Sequence, residues 1–285
     1  MRNGFHSLGP GIKSYHKTLL ERVMMSANVR QLGKWMLDII RYLGGLVVFT
    51  LISFRQILNT PVYLRETVLQ MHSIGVRSMP LVCLAALSTG AVLGMQTIDI
   101  LGKFGAVQYV AAVVGLSVVK ELSPVITALL VAGRSGSGIS AELGSMVVTR
   151  QVDALKVLAV NPVKFLASTR IAACVIVVPL LTAIADLLGI FGGLMVAVFQ
   201  RGIPYRTYVH KTLEFITLSD ILPGLFKGAV FGLIIGTVAC YEGLRVKGGT
   251  EGVGRSTTAA VVLASLLIFI SDVYLTKILI LLFPD

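Results

Sequence analysis

The chain has 285 residues, of which 55% are hydrophobic and only 14% charged, and its formal net charge is +11. Soluble domains carry about 25% charged residues, so a mean hydropathy of +0.85 argues against a water-soluble protein, which could not cover so much apolar surface. The basic residues are spread between apolar segments and form no single basic module, which argues against nucleic-acid binding. The composition therefore indicates an integral membrane protein.

The first apolar segment, within residues 31–59, contains a run of thirteen apolar residues flanked by Trp35 and by charged side chains. A transmembrane helix needs about 20 such residues. We therefore predict an interfacial or re-entrant helix here, with a tilted or bent sixth span as the alternative. Together with the basic segment before it, this helix forms a predicted N-terminal region of residues 1–78.

Five later segments are long and apolar enough to cross a bilayer. The sequence predicts an all-α, polytopic membrane protein with an N-terminal interfacial helix and five transmembrane helices, and the five-span domain occupies residues 79–285. The predicted spans are residues 79–101, 106–133, 165–199, 221–241 and 257–283.

Basic side chains are distributed unequally between the two sides of this arrangement. The N-terminal region and the loops after spans two and four are rich in Arg and Lys. The opposite side carries only Lys103, Arg201, Arg206 and Lys211. The positive-inside rule therefore predicts a cytoplasmic N-terminus and a C-terminus on the outer side.

The loop at residues 134–162 has apolar residues at helical spacing and charged residues on its other faces. The apolar positions are Val148, Val152, Leu155 and Ala159. The pattern predicts a short amphipathic helix at the cytoplasmic surface. Such a helix can pass the movement of a separate motor protein to the spans. A surface helix that only anchors the loop is the alternative.

Charged residues inside the spans are informative because each costs about 3 kcal/mol at the bilayer centre on insertion scales. Glu121 lies near the middle of span two, shortly before Pro124, and we expect it to face a cavity or a charged partner. Lys227 or Lys277 is a possible partner for an intramembrane acid. The other intramembrane acids are Asp186 and Asp272.

Two further patterns concern helix packing. Span four carries four glycines at four-residue intervals, which predicts a close approach of another helix; they are Gly224, Gly228, Gly232 and Gly236. Span one has the shorter repeat GAVLG and an apolar stripe interrupted by one amide. On its pattern alone this stripe indicates ordinary packing. Its members are Leu93, Gln96, Ile100 and Phe104.

Residues 120–173, KELSPVITALLVAGRSGSGISAELGSMVVTRQVDALKVLAVNPVKFLASTRIAA, resemble the signature of the MlaE (YrbE) permease family. In that family a Glu-Leu-x-Pro core, an AGR run with small residues, an AE-[LI]-G-x-M step and a Q-[IV]-D-A-L segment follow in this order. A second block, KGGTEGVGRSTTAAVV at residues 247–262, resembles the family's loop before the last span. Arg150 stands where many members have Glu.

This resemblance implies the permease subunit of an ABC transporter that moves phospholipid or another lipid between the inner membrane and MCE-protein carriers. It implies a homodimer in the bacterial inner membrane that binds a cytoplasmic ABC ATPase and an MCE-domain periplasmic protein, often with a small STAS-type accessory protein. ATP and Mg belong to the ATPase. The chain itself is then not an enzyme, and neither a cofactor nor a metal site is expected in it.

The resemblance also implies two sets of site residues. The first set lines a lipid-binding pocket at the dimer interface: Leu93, Gln96, Ile100, Leu101, Phe104, Glu121 and Leu122. The second set lies in or beside a coupling helix that docks on the ATPase: Glu142, Thr149, Gln151, Val152, Asp153 and Leu155.

An ion-coupled secondary transporter is the alternative function. Glu121, Asp186 and Asp272 would then bind protons or cations within the membrane. Five spans without an evident repeat of two halves argue against this alternative.

Overall fold

The computed structural model describes residues 36–38, 40–57 and 63–282. The chain divides into two units, residues 1–48 and 49–285. The described residues of the first unit belong to α1 (Met36–Ile57), a helix that extends past residue 48. The remaining helices are α2 (Leu64–Lys103), α3 (Val110–Ser117), α4 (Ser123–Val131), α5 (Ser137–Val148), α6 (Gln151–Val157), α7 (Thr169–Arg201), α8 (Tyr205–Phe215), α9 (Leu218–Leu244) and α10 (Gly249–Leu282).

The described residues contain six helices that are long and apolar enough to cross a membrane, which confirms an all-α polytopic protein. The sequence predicts five. The additional helix is α1, because its 22 residues extend well beyond the apolar run of thirteen and reach the length of a span. The other five are α2, residues 107–148, residues 163–201, α9 and α10.

The helix α2 is much longer than the span predicted within it. It begins at Leu64 and not at residue 79, and its 40 residues extend about 60 Å at 1.5 Å per residue. The hydrocarbon layer is about 30 Å thick, so a large part of α2 projects beyond it. The expected domain boundary between residues 78 and 79 therefore lies inside a continuous helix.

Two of the spans are interrupted by π-helical turns. The span at residues 107–148 contains two of them, Val118–Leu122 and Ala132–Gly136, and the next span opens with a third, Val163–Ser168. A π turn adds one residue to the helical repeat and thereby redirects the side chains around it, and such turns are frequent at functional sites.

The helix α7 packs between α2 and α9, and glycines bring these backbones together. A Cβ atom added to Gly90 of α2 would overlap the carbonyl oxygen of Gly189 in α7. On the other side of α7, a Cβ atom added to Gly232 of α9 would overlap the carbonyl oxygen of Cys174. The glycine repeats of spans one and four therefore serve close packing, as their spacing predicts.

Candidate functional site

Charged side chains meet in the interior of the span bundle. Lys227 of α9 is 2% exposed, and its Nζ lies 2.6 Å from Oε2 of Glu121 and 3.0 Å from Oδ1 of Asp272 in α10. The same ammonium donates a hydrogen bond to Oγ1 of Thr276 at 2.7 Å, and Thr276 donates to Oε1 of Glu121 at 3.2 Å. We call these four residues the ion cluster.

The ion cluster decides between the two lysines that the sequence offers as partners. Lys227 is the partner, whereas Lys277 is exposed. The contact with Asp272 is ionic and lacks hydrogen-bond geometry, since Oδ1 of Asp272 accepts no hydrogen bond among the described residues. Glu121 remains 43% exposed on its other side. Glu121 therefore contacts a buried cation on one side and is accessible on the other.

Pro124 explains how the lysine is held near this helix. Proline lacks an N–H group, so the carbonyl oxygen of Lys120, four residues earlier, loses its usual helical donor. Nζ of Lys227 donates to that carbonyl oxygen at 3.3 Å. The π turn Val118–Leu122 lies directly before Pro124 and adds to the departure from regular α-helical bonding.

Lys120 is adjacent to Glu121 in sequence but contacts a different part of α9. Its Nζ lies 2.8 Å from Oδ1 of Asp220. The other carboxylate oxygen of Asp220 accepts hydrogen bonds from the backbone N and the hydroxyl of Thr217, which caps the start of α9. The π turn thus binds both the first turn and the middle of α9 through neighbouring charges.

Asp186 of α7 stands apart from the ion cluster. It is 5% exposed; neither of its carboxylate oxygens has standard hydrogen-bond geometry with a described residue, and the side chain of Ser123 on α4 is its polar neighbour. Of the three acids considered for ion-coupled transport, the structure joins Glu121 and Asp272 through Lys227 and leaves Asp186 outside.

The residues expected to line a lipid pocket occupy three environments. Three are half-buried and pack against the core around Ile98: Leu93, Leu101 and Leu122. Three are exposed: Gln96 and Ile100 on α2, and Phe104 directly after its end. The exposed fractions of Ile100 and Phe104 are 57% and 79%. The seventh, Glu121, belongs to the ion cluster. One copy of the chain therefore distributes these residues over several faces.

Sequence reasoning missed an apolar groove between α2 and α7. Its volume is about 590 Å³, within the usual range for small-molecule sites. Gly192 lies in the groove, and α2 approaches so closely there that an added Cβ atom would collide with its backbone. The other lining residues are Leu87, Ser88, Ala91, Met95, Met195, Val196, Phe199 and Gln200. The sequence signal that could have revealed it is the GAVLG repeat of span one together with Gly189, Gly192 and Gly193 of span three.

The predicted amphipathic helix in the loop at residues 134–162 is divided in the structure. The helix α5 ends at Val148, and Arg150 then adopts a left-handed φ of +63°. That conformation costs about 1–2 kcal/mol for a residue with a side chain. The expected apolar face is therefore interrupted: Val152 and Leu155 are half-buried on α6, whereas Ala159 follows the end of α6 with a φ of +58°.

Polar contacts hold this loop in place. Oγ1 of Thr149 donates to the carbonyl oxygen of Ser145 at 2.9 Å. Hydrogen bonds from Lys156 and Arg150 hold the pKa of Asp153 below its usual range. Gln151 is exposed at the start of α6.

A salt bridge connects α5 to α7 behind this loop. Glu142 pairs with Arg170 at 2.8 Å, and the guanidinium of Arg170, which is 4% exposed, also donates to the carbonyl oxygen of Leu166. The salt bridge therefore joins the helix that leads into the loop to the central helix of the bundle.

Two exposed apolar residues at the end of α6 were not anticipated. Val157 is 87% exposed and Leu158 is 71% exposed. Apolar side chains at the tip of a polar loop have no cover within the described residues. Val157 follows Leu155 by two residues, so on α6 it points away from the predicted apolar face, and Leu158 lies just beyond the end of α6.

Comparison with known proteins places this arrangement in a family. The family model described as Permease MlaE matches residues 67–278. The chain belongs to the MlaE permease family. Residues 67–278 contain the ion cluster, the groove and the loop with α6, whereas α1 lies before them.

Individual relatives support the same assignment along nearly the whole MlaE-family chain. A probable ABC transporter permease protein of Rickettsia typhi is 38% identical over 90% of this chain and 99% of its own. The intermembrane phospholipid transport system permease protein MlaE of Haemophilus influenzae is 36% identical over 88% and 97%. The chloroplastic protein TRIGALACTOSYLDIACYLGLYCEROL 1 of Arabidopsis thaliana is 33% identical over 78% of this chain and 63% of its own.

Proposed function

We propose that this MlaE-family chain is the membrane-spanning permease subunit of an ABC transporter that moves phospholipid between the inner membrane and MCE-protein carriers. The observation that carries the proposal is the match with the Haemophilus phospholipid permease over 97% of that protein. Because the match covers nearly the whole of that protein, the two proteins can have the same spans and the same loops.

A separate ATPase supplies the energy in this proposal and holds ATP and Mg. Its docking surface is the loop around α6. Exposed Val157 and Leu158 provide apolar contacts, and Gln151 and Asp153 provide polar ones. The salt bridge between Glu142 and Arg170 then carries movement of the loop into α7.

The permease acts as a homodimer in this proposal. Ile100 near the end of α2 and Phe104 just after it are exposed in a single copy, and the family resemblance puts them at the dimer interface, where a second copy would cover them. These residues from the two copies would together enclose the lipid chains. An MCE-domain protein on the periplasmic side and a small STAS-type accessory protein complete the assembly implied by the family resemblance.

The proposed orientation in the inner membrane depends on α1. If α1 crossed the membrane, the basic N-terminal segment would lie on the opposite side from the loop around α6. The positive-inside rule favours both of them in the cytoplasm. We therefore propose that α1, although long enough to span, re-enters or lies along the cytoplasmic leaflet, and that the C-terminus is periplasmic.

Reconstitution tests the proposal. The permease is placed in vesicles with the ATPase encoded beside it, and the movement of labelled phospholipid is measured with ATP and with a non-hydrolysable analogue. We expect movement only with ATP and only when both proteins are present. The assignment would be wrong if the two proteins did not copurify from the membrane and no ATP-dependent movement of phospholipid were seen.

The ion cluster is the observation that favours the ion-coupled alternative. Glu121 and Asp272 both contact Lys227, however, so its ammonium already lies between the two carboxylates, where a transported cation would have to bind. The discriminating measurement is lipid movement by the permease alone under an imposed pH gradient. Movement without nucleotide would support the ion-coupled alternative.

A further inference from the structure

A polar pocket between α2 and α5 shares only Glu142 with the sets of site residues described above. Its volume is about 210 Å³, and it opens beside the point where the strongly apolar part of α2 begins. Polar side chains from α2 meet polar and small residues from the turn before α5 and from α5 itself. The members that matter here are Gln70, Ser73, Arg77, Arg134, Gly138 and Glu142.

The pocket has an excess of positive charge. Neither Arg77 nor Arg134 has an ion pair or a hydrogen bond from its side chain among the described residues. The acid in the pocket, Glu142, is already paired with the guanidinium of Arg170 at 2.8 Å. Two arginine side chains therefore remain without a counterion at one small polar site.

A buried hydrogen bond fixes the positions from which the two arginines extend. The hydroxyl groups of Ser78 and Ser135, the neighbours of Arg77 and Arg134 in sequence, lie 2.8 Å apart. The hydroxyl of Ser135 also donates to the carbonyl oxygen of Ile74 at 3.4 Å. Arg134 itself lies on the π turn Ala132–Gly136, which redirects its side chain relative to a regular helix.

We propose that this pocket binds the phosphate group of an anionic phospholipid from the cytoplasmic leaflet. Guanidinium groups suit phosphate oxygens because they donate two parallel hydrogen bonds. Close to Arg77 in sequence, α2 offers exposed apolar side chains for the acyl chains, since Val76 is 54% exposed and Met79 is 42% exposed. The assignment rests on the proposed orientation in the membrane but not on transport activity.

The binding test uses the full-length protein in detergent micelles that contain either phosphatidylglycerol or phosphatidylcholine. Bound lipid is counted by native mass spectrometry. A hydrogen bond to a charged group commonly changes binding by about tenfold or more, so the double variant Arg77→Gln/Arg134→Gln should retain about tenfold less phosphatidylglycerol. Retention of phosphatidylcholine should change far less.

The matched control is Arg65→Gln/Arg255→Gln, which removes the same charge at two exposed positions outside the pocket. We expect it to retain phosphatidylglycerol as the unaltered protein does. An equal loss in both double variants would indicate a general effect of surface charge and would overturn the proposal.

Two further measurements test the pocket itself. Gly138 has open space where a Cβ atom would be, so Gly138→Leu should fill the pocket and lower phosphatidylglycerol retention without changing any charge. Unaltered retention would contradict the proposal.

Inorganic phosphate should displace the lipid poorly. Full displacement would instead assign the site to a free anion and overturn the proposal. If the arginine variant keeps its lipid but loses the ATPase, the pocket is a protein contact and the proposal is wrong. Transport is measured separately, so its failure is distinguishable.

Discussion

The ion cluster has one lysine between two acids, the loop around α6 has one acid, Asp153, between two basic residues, and the two surroundings are opposite. Lys227 is 2% exposed, whereas Asp153 on α6 is 51% exposed and its partners are more exposed still. In water an ion pair contributes little, but a charge left without its partner in the interior is strongly destabilising. The buried ion pairs of the ion cluster therefore stabilise the fold, whereas the exposed ion pairs of α6 contribute little to stability and can be exchanged for contacts with a partner.

The largest expected effect comes from removing the buried cation. Lys227→Met leaves Glu121 and Asp272 without a counterion, so we expect a loss of about 3 kcal/mol, the lower end for a broken buried pair because Glu121 is 43% exposed. Thermal unfolding of the purified protein in detergent measures it. Lys277→Met is the control, because Lys277 is exposed on α10. Equal melting temperatures in the two variants would remove the basis of the comparison.

A neutral replacement of the whole cluster separates stability from transport. In Glu121→Gln/Lys227→Met/Asp272→Asn no buried charge lacks a partner, and we expect most of the lost stability to return. We expect ATP-dependent lipid movement to be lost in this variant, because the exposed side of Glu121 no longer carries a carboxylate. If the triple variant transports lipid as the unaltered protein does, the ion cluster has a packing role alone.

The tip of the loop should behave in the opposite way. Val157→Ser/Leu158→Ser changes two exposed side chains, so the free energy of unfolding should move by no more than about 0.5 kcal/mol for each. We expect the copurified ATPase to be lost because apolar contacts at the tip are removed. Lys247→Ser, an exposed change in another loop, is the control. Retention of the ATPase by the double variant would contradict the proposed docking surface.

The smallest effect on stability is expected at the polar positions of α6. Gln151→Ala and Asp153→Asn should leave the melting temperature and the proposed dimer unaltered, because both side chains are exposed. ATP hydrolysis should continue while lipid movement falls. A loss of the dimer in either variant, seen by size-exclusion chromatography, would indicate a structural role instead.

The sequence predicts the helical class and the packing glycines well, because hydropathy and four-residue spacing are local properties. Three features depend on contacts or conformations that no local pattern contains. The extent of α1 follows from helix continuation beyond an apolar run. The choice of Lys227 over Lys277 depends on the packing of α9 against the π turn. The break at Arg150 depends on one backbone angle. It interrupts the predicted apolar face, and the sequence pattern did not indicate that Val157 and Leu158 would be exposed.

The site residues divide in the same way. Glu121 was identified as charged in an apolar span, and its partner could be narrowed to two lysines. The environments of Leu93, Ile100 and Phe104 could not be predicted, since residues at helical spacing on a long helix can still differ in what covers them. The groove between α2 and α7 was missed because it requires two glycine segments, distant in sequence, to be aligned.

The backbone contacts of α7 with α2 and α9 restrict how the protein can move. Gly90 meets the backbone at Gly189, and Gly232 meets it at Cys174, with no side chain between them that could change rotamer. Sliding or parting these helices would lose contacts that no neighbouring group could replace. We therefore expect the three helices to shift together as a rigid body, so that a conformational cycle opens space at the border of this body and not within it.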